Sequence, residues 1–175
     1  MTHISANDTL HKGNTFKRIV SFSWVKKSVL VEVIALLFVI LFLYTGVAKL
    51  MEFDVFEEQL AESPILAPIA SVVAWGMPVT EFIISLLLFF PRYRLKGLYL
   101  TSILMTLFTA YIITLFTISP ELPCSCGGIL EALSWKGHLV FNSLLILLSL
   151  VAIRMQRGLK RSKEINGERY LTNRV

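Results

Sequence analysis

Only two cysteines occur in this chain of 175 residues, and charged side chains make up just 17% of it. One cysteine pair excludes a relay of several dithiols within the polypeptide. So little charge, beside 55% hydrophobic residues and a mean hydropathy of +0.68, excludes an ordinary soluble domain. No polar tract is long enough to hold a soluble catalytic domain beside the apolar ones. Internal repeats and low-complexity tracts are absent. A cleaved signal peptide is not expected either: the polar lead is long, and cleavage after the first apolar run would remove a whole span.

What is present is a series of long apolar segments. A spanning helix needs about 20 mostly apolar residues to cross a hydrocarbon core of about 30 Å. Residues 29–50, 68–90, 98–118 and 133–153 qualify, the last being the most polar because it includes Lys136, His138 and Asn142. The expectation is an all-α, four-helix integral membrane bundle over residues 29–155. A cytoplasmic or interfacial segment (1–28) precedes it and a basic tail (156–175) follows.

The formal net charge is +5, but its distribution argues for topology rather than nucleic-acid binding. Lys12, Lys17, Arg18, Lys26 and Lys27 precede the first span. Arg92, Arg94 and Lys96 sit between the second and third, and seven more basic residues from Arg154 to Arg174 follow the fourth. Only Lys49 and Lys136 fall elsewhere. The positive-inside rule then places both termini in the cytoplasm of an inner (cytoplasmic) membrane protein. The acidic first loop (Glu52, Asp54, Glu57, Glu58, Glu62) and the cysteine loop come to lie on the periplasmic side. Phe16, Val20 and Trp24 recur every four residues beside basic ones, which suits either a short interfacial helix or an unstructured lead. The stretch 157–175 is expected to be loosely ordered.

Several polar residues fall inside or at the edge of the spans. Glu81 lies near the bilayer middle, where a carboxylate must be protonated, paired or faced by a hydrated cavity. It follows Trp75-Gly76-Met77-Pro78, in which the proline frees a backbone carbonyl and favours a kink. Ser102, Thr106, Thr109 and Thr117 share one face of the third span, a face expected to turn into the bundle. Lys49, at the outer end of the first span, is expected to snorkel to the headgroups. Pairing with an acid at the mouth of the bundle is the alternative. Gly46 would let a neighbouring helix approach closely.

The thiols themselves stand in Pro123-Cys124-Ser125-Cys126-Gly127-Gly128. A Cys-x-Cys disulfide closes a small, strained ring, and strain makes a disulfide more oxidising towards others. The proline and paired glycines suit a tight turn that another backbone can approach. Three readings stay open: a redox couple, a metal site, and a quiet structural feature. Only His138 is near enough to join the thiols as a ligand, so no metal centre is expected. His138 could take a proton from a thiol, hydrogen-bond a quinone, or be an interfacial histidine without chemistry. Trp135 suits a membrane boundary.

These motifs carry a resemblance. Leu43-Tyr44-Thr45-Gly46-Val47-Ala48-Lys49-Leu50, Pro78-Val79-Thr80-Glu81, Cys124-Ser125-Cys126-Gly127-Gly128 and Leu133-Ser134-Trp135-Lys136-Gly137-His138 resemble the methylamine-utilisation MauE family, within the broader DoxX-like membrane proteins. The resemblance covers roughly residues 30 to 155. It implies a four-helix inner-membrane protein working with a thioredoxin-like periplasmic protein, in maturation of methylamine dehydrogenase. It marks Cys124 and Cys126 as redox residues, and Lys49 and Glu81 as family positions of unassigned task.

The expected function is therefore disulfide exchange at the outer face in the maturation of exported proteins. His138, Glu81, Lys49, Trp75 and Asn142 would be supporting residues, and a quinone near Trp75, His138 and Asn142 a conceivable acceptor. The rivals are a non-enzymatic membrane anchor or assembly subunit for a soluble redox partner, and a small-molecule or metal transporter.

Overall fold

A computed structural model describes residues 6–118 and 135–172, with side chains described over 27–118, 137–162 and 164–165. Helix α1 runs Ala6–Met51, α2 Phe53–Glu62, α3 Ala70–Phe89, α4 Arg94–Ile118 and α5 Trp135–Thr172, with a 3₁₀ turn over Ala67–Ile69. Four stretches are long and apolar enough to cross a membrane: Lys27–Met51, Ala67–Phe89, Arg94–Ile118 and Gly137–Ser162. The protein is an all-helical, multi-pass membrane protein. Ile34–Ile153 forms one compact unit; the parts of α1 up to Val33 and of α5 from Arg154 belong to a second.

Each span buries one stripe at helical spacing and leaves the rest for lipid. On α1 the stripe is Ile34, Phe38, Phe42, Thr45 and Lys49, and on α3 it is Ala70, Ala74, Pro78, Glu81, Ser85 and Leu88. Helix α5 buries His138, Asn142, Leu145, Ser149 and Ala152. Pro78 does not end α3, which continues to Phe89. The α3–α4 hairpin is tight: Tyr93 N–H donates to the Phe90 carbonyl at 3.0 Å, and Gly97 N–H to that of Tyr93 at 3.0 Å. A Cβ on Gly97 would sit 3.0 Å from the Leu88 backbone nitrogen, so only glycine lets the two helices come this close.

Three expectations change. The acidic first loop is largely helix α2, because Phe53, Phe56 and Leu60 fall on one face and pack on Ala70, Ala74 and Trp75. Its acidic Asp54, Glu58 and Glu62 remain exposed. The hydroxyl face of α4 is not its buried face. Thr106 and Thr117 are exposed, and Thr106, Thr109 and Thr117 each donate to a carbonyl of their own helix at 2.7 Å. A hydroxyl satisfied that way needs no partner helix. Finally, the tail expected to be loosely ordered is helical to Thr172, consistent with its many strong helix formers. The residues of the expected interfacial helix, Phe16 to Trp24, belong to α1 itself.

Candidate intramembrane polar site

The site is built where the four spans meet. Lys49 stands two residues before the end of α1 and Glu81 midway along α3. Lys49 Nζ donates to Glu81 Oε1 at 2.8 Å, and both residues are only 6% exposed. The expectation that Lys49 snorkels outward is thus corrected. Its stem turns inward because a carboxylate in a low-dielectric interior attracts the ammonium more strongly than headgroups do. A second, long contact runs from Nζ to the Thr45 carbonyl at 3.5 Å. Phe56 of α2 lies under the ammonium, its ring centre 5.8 Å away, within cation–π range.

Gly46 makes the pair possible. A Cβ there would lie 3.2 Å from Glu81 Oε2 and 3.2 Å from the Phe82 ring, tighter than ordinary packing. The close approach expected at Gly46 is therefore present, and its partner is the stretch of α3 around Glu81 and Phe82.

Beside the pair is a cavity of about 50 Å³, to which all four spans contribute. Thr45, Lys49, Glu81 and Asn142 supply its polar wall, while Phe108 and Phe141 are among its apolar residues. Within this site several buried polar atoms have no hydrogen-bond partner among the described residues: Glu81 Oε2, Asn142 Nδ2, His138 Nε2 and, on α3, Ser85 Oγ. Asn142 is 5% exposed and His138 1%.

The structure thus brings Lys49, Glu81 and Asn142 to one cavity and buries His138 one turn before Asn142. Trp75 is elsewhere. It is 59% exposed and packs on Phe53, ring centres 4.7 Å apart. Cys124 and Cys126 lie outside the described residues. The cavity has about a third of the volume of an engineered cavity of about 150 Å³ that binds benzene. Sequence reasoning did not find Phe108 and Phe141 as wall residues. Ordinary phenylalanines in apolar spans carry no signal of their own. Among the described residues, no three His, Cys, Asp or Glu side chains are grouped as a metal site would need.

The family model described as Methylamine utilisation protein MauE matches residues 27–155. No curated protein and no solved structure matches the chain.

Proposed function

The chain belongs to the MauE family, and from that membership we propose that it is a membrane-embedded thiol–disulfide exchanger acting through Cys124 and Cys126. The observation that carries the reading is the position of the only two cysteines, together between the last two spans, on the stretch joining Ile118 of α4 to Trp135 of α5. That stretch leads directly into the buried polar face of α5, beginning at His138.

In the proposed exchange, a thiolate of a thioredoxin-like partner attacks one sulfur of the Cys124–Cys126 disulfide. The S–S bond breaks, a mixed disulfide forms, and the other cysteine leaves as a thiolate. The partner's second thiolate then attacks the mixed disulfide. The partner departs oxidised, and two electrons have passed to the Cys124–Cys126 pair. Strain in so small a ring favours this direction. The charge distribution supports an inner-membrane location with the thiols on the periplasmic side, where a disulfide persists. Maturation of exported proteins in methylamine utilisation is the setting the family suggests.

The test is the redox state of the pair in intact cells. A membrane-impermeant, mass-shifting maleimide is added with and without prior reduction, and mixed disulfides are trapped in Cys124→Ser and Cys126→Ser variants. Labelling from outside only after reduction, with a trapped partner, supports the reading. Thiols that stay reduced and trap nothing, in a strain where the Cys→Ser variants remain active, overturn it in favour of an anchor or assembly subunit.

A further inference from the structure

The unpartnered buried polar atoms near the Lys49–Glu81 pair lie on two helices. Helix α5 carries His138 and Asn142 four residues apart on its buried face. Asn142 lines the same cavity as Glu81, and each of the three has a side-chain atom with no partner among the described residues. Side chains four residues apart are neighbours on a helix, yet His138 Nε2 and Asn142 Nδ2 do not bond to each other, which leaves room for an intervening molecule that bonds to both.

The chemistry of these atoms selects that molecule. Glu81 Oε2 as a carboxylate oxygen accepts, and Asn142 Nδ2 donates. One molecule serving both must donate and accept, which a carbonyl cannot do and water can. Size agrees. About 50 Å³ holds about three waters at ~15 Å³ each, and is about a third of an engineered cavity that binds benzene. Cavities that stay dry are apolar; this one presents an ion pair and an amide.

We propose that ordered water fills this cavity and links Glu81 Oε2 to Asn142 Nδ2 and onward to His138 Nε2, forming a proton track from the start of α5 to the buried Lys49–Glu81 pair. A proton arriving at the imidazole passes from water to water to the carboxylate without entering lipid, while the Asn142 amide nitrogen, a donor only, anchors the waters and takes no proton itself. The His138 ring can receive it at one nitrogen and release one from the other. The track does not depend on the thiol reading, so a protein with Cys124→Ser and Cys126→Ser retains it.

Water-edited solid-state NMR on the isotope-labelled full chain in lipid bilayers tests this. The Asn142 amide and His138 ring signals are assigned by their loss in Asn142→Leu and His138→Phe. Magnetisation from water is expected to reach the Asn142 amide and the Glu81 carboxyl about tenfold faster than the Phe42 ring, which is fully buried and does not line the cavity. Transfer as slow as at Phe42 overturns the proposal, and this comparison needs no variant to fold. In Asn142→Leu, alike in branching but bulkier and unable to hold water, transfer to His138 is expected to fall several-fold while helical circular dichroism stays intact. Unchanged transfer to His138 in that folded variant breaks the proposed series and overturns the track.

Discussion

Lys49 and Glu81 form a pair with a cost on each side. Removing either partner leaves a polar group buried between spans, where a lone charge is expensive. Lys49→Met is therefore expected to destabilise the folded protein by about 3–5 kcal/mol, the range for breaking a buried pair by one partner. The double change Lys49→Met with Glu81→Leu should recover most of that loss, because two apolar side chains pack without desolvation. Unfolding in mixed micelles measures both, and a double variant no more stable than the single one would contradict the argument. Gly46→Ala is a milder probe of the same pair. Its Cβ meets Glu81 Oε2 and the end of the half-buried Phe82 ring at 3.2 Å, and the ring can give way, so the cost should be about 1 kcal/mol. Gly76→Ala is its control. Nothing lies within 4 Å of a Cβ there, so that helix should gain about 0.5–1 kcal/mol. Thermal midpoints that move in the same direction for the two alanines would refute this reading of Gly46.

Among the elements, the α3–α4 hairpin and α2 show how far sequence carries. The spans were legible because a run of about 20 apolar residues has few other uses. Helix α2 was not, although Phe53, Phe56 and Leu60 hold helical spacing: five acids in the same stretch made it read as a solvated loop. What the charges concealed is that Asp54, Glu58 and Glu62 stay exposed while the apolar face docks on α3, and that Glu57 accepts a hydrogen bond from Ser71 of α3. The threonines of α4 misled in the other direction. Their shared face suggested packing, yet their hydroxyls are satisfied along their own helix. Close approach came instead from Gly97, where an added Cβ would meet the Leu88 side chain at 2.9 Å and also the Leu88 backbone nitrogen at 3.0 Å. Backbone cannot swing aside as Phe82 can. Gly97→Ala should therefore cost more than Gly46→Ala, about 1–3 kcal/mol, and unfolding midpoints of the two variants side by side decide it.

At the scale of the whole molecule, pairing across helices is what a linear pattern conceals. Lys49 and Glu81 were each visible as polar residues in apolar runs. That they meet depends on how α1 and α3 pack, which the spacing within either helix does not encode. Charge distribution, by contrast, is a property of the whole chain and can be read without packing. Fifteen of its 17 basic residues fall on one side of a four-span arrangement, and Arg94 and Lys96 do so even though they belong to the first turn of α4. Since basic flanks are retained in the cytoplasm, α2 and the cysteine stretch should both face the opposite compartment. In a background lacking Cys124 and Cys126, single cysteines replacing the exposed Glu58 of α2 and Lys96 of α4 report the two sides. Glu58→Cys should react with an impermeant maleimide in intact cells, and Lys96→Cys only after permeabilisation. The reverse pattern would put the native thiols in the reducing cytoplasm, where a strained disulfide does not persist. That one result would remove the oxidising half of the proposed exchange while leaving the four spans, the buried pair and its cavity untouched.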